Sequence, residues 1–561
     1  MSRILHLEAR YSETPLEFLR RERWAVGICS LVFSAIMLAA IFSVDPAYYY
    51  PRLVTDQLLY YLKGLAFVHD GTTEARFAVN TGPFNYASGP GLLRAPWMAL
   101  FPAFDDQLRA IQITNVVIAV ALALISAYIM SWVLPRKVQA AAVAFAFALL
   151  VLNPVWVTNV LSPLADLPYA AASLGAVVVL TRILAGTPGE RASLWRKILF
   201  AVLFVIAFAC RFTAPVILVY GWFLYRSARS EGSSRPSRRV VLAAAAGVLA
   251  VVAVVLILRP GVVHYYAVLP KIFLSRSGIP EMLSNLVVLA VPSQLIPGLE
   301  IMFERPPLAN MYRPVFATTP FDTLLTAIGI AISGITLAGM VILRRELRPG
   351  LAFVLVPMPL LASIIASSSR YLLSYQPFFW IFMYAGGAAL VARLAPGFRW
   401  TRRMTITVAS AACLLAATAV YVRSARFAAG GKVSISNFSL GETRRGAADV
   451  ASTYRRLRQF LEGLPRAETL LVGTRGNMGQ WKAIAGIDYY YPDSGMVDAS
   501  RRKQLYLVLA CPTPGVCSSM DHTEKRARDN LLTFGNVELA RVFDVANAYS
   551  AARVYQVKVL Q

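Results

Sequence analysis

The chain has 561 residues, of which 57% are apolar and only 15% charged, whereas soluble globular domains carry nearer a quarter charged residues, so a wholly soluble globular protein is excluded. A net charge of +25 would suit nucleic acid. The Lys and Arg, however, sit in short clusters between apolar runs rather than on one soluble face, and that excludes a nucleic-acid partner.

The first 23 residues are mixed in charge and amphipathic, and read as a cytoplasmic N-terminal segment without a cleavable signal peptide. Apolar runs of about 15–25 residues follow, the length that crosses a bilayer core. They predict transmembrane helices at Trp24–Phe42, Ile111–Leu134, Val138–Val157 and Leu167–Leu184. The stretch Ile198–Tyr225 is broken at Arg211 and Pro215 and predicts two short helices turning near Arg211. Further runs at Val240–Leu258, Phe321–Leu343, Leu351–Ser367, Leu372–Leu394 and Met404–Val422 bring the total to about eleven spans. The fold class is therefore a polytopic α-helical membrane protein. Residues 24–422 form the membrane domain, with long outer loops at 43–110 and 259–320. Tyr48–Tyr50, Tyr60, Tyr61, Trp97 and Phe101 suggest that the first loop lies on the membrane surface.

Every second loop is basic. Arg20, Arg21 and Arg23 are followed by Arg136 and Lys137, then Arg191, Arg196 and Lys197. Arg226, Arg229, Arg235, Arg238 and Arg239 come next, then Arg344, Arg345 and Arg348, then Arg399, Arg402 and Arg403. This positive-inside alternation expects a cytoplasmic N-terminus, and an odd number of spans places the C-terminus outside. The localisation expected is a bacterial inner membrane. Residues 423–561 would be a small periplasmic α/β domain, with an amphipathic helix at Val450–Leu464, buried strands at Thr469–Val472 and Gln504–Ala510, and a hairpin over Val537–Val559. Cys29, Cys210 and Cys413 lie in apolar runs as buried thiols. Cys511 and Cys517 could form a disulfide in a periplasmic domain. The loop from Gly473 to Gly479 matches neither a P-loop nor a dinucleotide fingerprint and reads as a turn.

Polar groups at membrane depth are costly and mark function. Four places stand out. Asp56 lies in the first outer loop and Asp166 at the outer end of the fourth span. Arg211 interrupts an apolar stretch, and Arg370-Tyr371 occupies the turn between two late spans. Taken singly, each acid also fits a helix cap, and Arg370-Tyr371 an interfacial anchor. Taken together, two carboxylates and two guanidiniums at one membrane face suit transfer from an anionic lipid phosphate. Arginines can grip the phosphate, and a carboxylate can take the acceptor proton.

The ordered set resembles the GT-C superfamily of polyprenyl-phosphate-sugar glycosyltransferases, which holds protein O-mannosyltransferases and lipid A aminoarabinose transferases. Asp56, Tyr60 and Gly71 resemble the acid, Tyr and closing Gly of the family's first outer loop. Gly89-Pro90-Gly91 through Arg94, Pro96 and Trp97 resembles its Pro-rich segment. Asp166-Leu167-Pro168, Arg211 through Pro215, and Arg370-Tyr371-Leu372-Leu373-Ser374 resemble its later motifs, with the last proline displaced to Pro377. The resemblance spans roughly residues 20–420. It implies an inverting hexosyl or pentosyl transferase. Asp56 would be the catalytic base, and Asp166 an acceptor or cation ligand. Arg211, Arg370 and Tyr371 would hold the donor phosphate. Tyr60, Lys271, Arg276, His264 and Tyr265 are helpers by placement. The family often has a second acid beside the first, where this chain has Gln57. The metal requirement therefore stays open, with a divalent cation the one cofactor considered. The partners implied are a polyprenyl-phosphate-linked sugar, a glycan, lipid or protein acceptor, and membrane lipids. A transporter or lipid-linked-sugar flippase is the alternative, and a non-catalytic scaffold for the C-terminal domain a third.

Overall fold

Thr14 and Glu17 start the first helix by satisfying each other's backbone N–H groups, a capping box, with Pro15 at the first helical position where no N–H is needed. The architecture is that of a computed structural model. It describes residues 13–43, 45–52, 55–69, 89–136, 139–152, 160–161, 165–184, 194–211, 213–230, 331, 334–358, 373–394, 444–472, 479–490, 500–501, 503–511, 520–532, 536–547 and 550–560.

Helix α1 (Pro15–Arg21) turns through 86° into α2 (Arg23–Ser43). A 3-10 turn, Pro46–Arg52, leads to α3 (Thr55–His69). Then come α4 (Gly89–Leu100), α5 (Phe104–Ser131), α6 (Gln139–Leu152) and α7 (Asp166–Leu184). Helices α8 (Leu194–Cys210) and α9 (Val216–Ser230) are separated at Arg211–Pro215, as the sequence predicts. Residues 334–342 are helical, followed by α10 (Arg348–Leu355) and α11 (Gln376–Leu394).

Three of these, α5, α7 and α11, are long and apolar enough to cross a membrane, and α1 with α2 makes a fourth if the bent pair is one span. Two further helices carry exposed apolar stripes. Trp24, Ile28, Leu31, Val32 and Ile36 line one side of α2, and Trp195, Ile198, Leu199, Val202 and Val205 one side of α8. The spacing of three and four places each set on a single helical face, a surface that lipid tolerates and water does not. The expected spans Val240–Leu258 and Met404–Val422 and the loop 259–320 lie outside the described residues.

The helical body has two distinct ends. At one, Glu13 accepts the Arg21 guanidinium, while its carbonyl accepts the Tyr128 hydroxyl at 2.8 Å and Arg182 at 3.4 Å. Gln139 there caps the end of α5 by donating to the Ser131 and Leu134 carbonyls. The starts of α5 and α7 and the end of α8 lie at the opposite end. Gln112 and Asn115 of α5 donate to the carbonyls of Leu161 and Val160, just ahead of α7. These bonds satisfy polar groups that are buried on an otherwise apolar helix.

Two expectations are corrected. The second long helix begins at Phe104 rather than Ile111, because Asp105 and Asp106 occupy its first turn, where the helix dipole favours acids. The tyrosines of the first loop are not the exposed aromatics that a membrane surface takes up, although Phe101 is exposed. Tyr48, Tyr49, Tyr50, Tyr60 and Tyr61 are buried in the protein core, with Tyr50 and Tyr61 both against Phe104.

The C-terminal domain is α/β, as expected. Helix α12 (Arg444–Glu462) precedes β1 (Thr469–Val472), α13 (Gly479–Ala485) and β2 (Asp488–Tyr490). Strand β3 (Gln504–Cys511), α14 (Met520–Leu532), β4 (Asn536–Ala546) and β5 (Ala551–Leu560) complete it. The sheet order is β2-β1-β3-β5-β4, with β2, β1 and β3 parallel and the β4–β5 hairpin antiparallel. Side chains alternate between the two faces. Leu471, Val508 and Val554 join the core shared with α12, whereas Val472, Leu507, Leu509 and Val557 pack with Leu531 of α14. Cys511 is disulfide-bonded. Its expected partner, Cys517, and the Gly473 loop lie outside the described residues.

Candidate functional site

The first turn of α7 admits Pro168, whose missing N–H costs nothing there. That turn holds Asp166 at the helix N-terminus, where the dipole favours its charge. The carboxylate is 2% exposed and accepts a charge-assisted hydrogen bond from Arg211 Nη2. Arg211 reaches it because the chain leaves helical geometry immediately after Cys210. Its N–H makes the last helical bond, to Ala207, and Thr213–Pro215 then turn into α9. A buried pair of this kind survives only when both charges are well satisfied, since desolvation opposes it.

A buried hydroxyl residue follows each member of the pair in the chain, Tyr169 one turn after Asp166 and Thr213 two residues after Arg211. Thr213 Oγ1 donates to the Tyr169 hydroxyl at 2.9 Å. Tyr375 lies within electrostatic reach of both Tyr169 and Arg211, and among the described residues neither the Tyr375 hydroxyl nor Ser374 Oγ has a hydrogen-bond partner. Tyr169, Ser374, Tyr375 and Gln376 are all buried. The site thus draws on the start of α7, the α8–α9 break and the residues leading into α11.

The first outer segment approaches the same place. Glycines permit it. A Cβ on Gly91 would meet Lys63 Cβ at 2.8 Å and Gly64 N at 2.9 Å, so α3 and α4 cross in near backbone contact. A Cβ on Gly89 would meet the Ala209 backbone at 2.6 Å, which seats the start of α4 on the last turn of α8. Between these crossings Arg94 is 4% exposed, with its guanidinium 5.8 Å from the centre of the Tyr60 ring. Burial pulls its pKa below the usual arginine value, opposed by Cys210 and Tyr60. Cys210 is the residue before Arg211, so Arg94 lies near the α8–α9 break as well as beside Tyr60 of α3.

Of the residues singled out from sequence, Asp166, Arg211 and Tyr60 are described, and they fall in this region. Asp166 engages the Arg211 guanidinium. Asp56 occupies the second position of α3, one turn before Tyr60, and its side chain lies outside the described residues. Arg370, Tyr371, His264, Tyr265, Lys271 and Arg276 lie outside them entirely. Among the described residues no three His, Cys, Asp or Glu side chains cluster as a metal site. Tyr169 and Tyr375 belong to no motif visible in the sequence, and Thr213 and Ser374 enter the motifs only as neighbours of Arg211 and Arg370. Arg94 was quoted only as part of a proline-rich segment, although a lone arginine among apolar residues is the same signal that singled out Arg211.

In comparison with known proteins, the chain matches no family model, no curated protein and no solved structure.

Proposed function

We propose that the chain is a multi-pass membrane glycosyltransferase that moves a sugar from a polyprenyl phosphate to an acceptor at the non-cytoplasmic face of a bacterial inner membrane. The observation that carries the reading is the buried Asp166–Arg211 pair at the helix ends opposite Glu13, with the buried Thr213–Tyr169 hydroxyl bond formed by residues close to each in the chain. A guanidinium has five N–H donors in a planar fork, enough to serve a carboxylate and a phosphate together. Asp166 holds Arg211 in place, and Arg211, with Arg370 and Tyr371, takes the donor phosphate.

In the reaction the acceptor oxygen attacks the anomeric carbon as the bond to the phosphate oxygen breaks. The electron pair leaves with polyprenyl phosphate, whose growing charge the guanidiniums stabilise. Asp56 takes the acceptor proton. One displacement inverts the anomeric centre. The acceptor is a glycan, a lipid or a protein.

Sidedness follows from charge. Arg20, Arg21, Arg23, Arg136 and Arg182 lie at the Glu13 end, which the positive-inside rule makes cytoplasmic. The disulfide at Cys511 suits a periplasmic C-terminal domain. Release of polyprenyl phosphate by purified protein from a panel of polyprenyl-phosphate sugars tests the reading. Turnover with at least one donor is expected, with a loss of roughly 100-fold or more in Asp56→Asn. Wild-type turnover in that variant would remove Asp56 from the chemistry.

A flippase is the second reading. It is favoured by the helix break beside a buried ion pair, a feature of transporter sites. A flippase leaves the sugar–phosphate bond intact, so the same panel in detergent separates the two.

A further inference from the structure

Helix α12 of the C-terminal domain lies against the 3-10 turn that precedes α3. Arg458 Nη1 donates to the Tyr50 hydroxyl at 2.5 Å and sits 3.2 Å from Asp105 Oδ2. Its Nε donates to Glu462 at 2.7 Å, one turn along α12. Tyr50 donates in turn to Asp105 Oδ1 at 2.6 Å. One helical turn earlier on α12, Arg455 pairs with Asp45, just ahead of the 3-10 turn. A lone exposed ion pair is worth little. Here Arg458 is largely buried and serves Tyr50, Asp105 and Glu462, and Tyr50 is 1% exposed.

A second contact acts on α3 itself. Tyr489 of β2 packs on Leu58 and Leu62, which face away from the α4 crossing. Trp481 of α13, fully buried, stacks on Tyr454 of α12 at 6.1 Å, so the two contacts belong to one packed unit. The domain therefore holds the N-terminal half of α3 at two places: through polar and ionic contacts to Asp45, Tyr50 and Asp105 beside the turn before it, and through an apolar contact on its first two turns.

We infer that the C-terminal domain is a clamp that fixes the position of α3, with Arg458 and Arg455 as positioning residues acting on the helix that carries Asp56. The consequence for catalysis rests on the transferase reading. The clamp itself does not.

The test is amide hydrogen exchange of the full chain in nanodiscs, with polyprenyl-phosphate-sugar turnover measured on the same preparations. Arg455→Asp with Arg458→Asp is expected to speed exchange across residues 55–69 by roughly tenfold or more, while strands β3 and β5 keep their protection as the fold control. Adding Asp45→Arg and Asp105→Arg restores the opposite charges and is expected to restore protection. Tyr489→Ala, which leaves every charge in place, is expected to speed exchange in the same residues. Unchanged protection of residues 55–69 in both the charge reversal and Tyr489→Ala, with β3 and β5 intact, would overturn the clamp. So would a failure of the fourfold variant to recover. Loss of protection with wild-type turnover would leave the clamp standing and sink the catalytic role of α3.

Discussion

Replacing Asp166 by Asn leaves the Arg211 guanidinium buried opposite an amide, and breaking one partner of a buried pair costs about 3–5 kcal/mol. Asp166→Asn should therefore lower the unfolding midpoint of the purified protein sharply. Asp166→Asn combined with Arg211→Met removes both charges and should recover most of that loss. A single variant as stable as the wild type would show that the pair is solvated rather than buried. Arg211 was legible in the sequence because an arginine between apolar helices has no solvated face to occupy. Its partnership with Asp166 was not, since the two residues are 45 apart in the chain and meet only because the ends of α7 and α8 coincide. The neighbouring hydroxyls gave no sequence signal, because Tyr, Thr and Ser at helix ends are as common in caps as in sites.

At the scale of elements, closest approach is set by glycine. A Cβ on Gly339 would strike the Phe382 carbonyl oxygen, and a Cβ on Gly386 the Ile335 carbonyl oxygen, so residues 334–342 and α11 cross with their backbones in contact. Gly387, the next residue, would meet only Ile335 Cγ2 at 3.9 Å. Gly386→Ala should lose at least the roughly 1–3 kcal/mol of ordinary overpacking, whereas Gly387→Ala should leave the thermal midpoint unchanged. Equal midpoints for the two variants would contradict the crossing. Apolar runs located α2 and α7 to within about a residue and the end of α11 at Leu394, because a span must be long and uncharged whatever it packs against, while the α11 start at Gln376 falls four residues after the expected Leu372. The start of α5 was missed for the converse reason. Asp105 and Arg109 look like loop residues until Tyr50, Arg458 and Ile41 supply their partners. The tyrosines of the first loop were misplaced at the membrane surface because composition alone does not separate an interfacial aromatic from one covered by another domain.

For the molecule as a whole, α1 and the C-terminal domain sit at opposite ends of the helical body, with the Asp166–Arg211 pair at the end that the C-terminal domain covers. That arrangement follows the alternation of basic loops, which the sequence displays directly. The docking of the domain had no such signal, since Asp45, Tyr50 and Asp105 meet Arg455 and Arg458 across roughly 350–410 residues of chain, beyond any local pattern. On the proposed function, the Arg211 guanidinium at this end receives a lipid phosphate. The most direct test of this is the binding of a short-chain polyprenyl phosphate to purified protein, with wild type measured against the combined Asp166→Asn and Arg211→Met variant. That variant keeps the fold while removing the charge. Saturable binding to the wild type is expected, with at least a roughly tenfold weaker affinity in the variant, the worth of one charge-assisted contact. Equal affinity in the two proteins would contradict it.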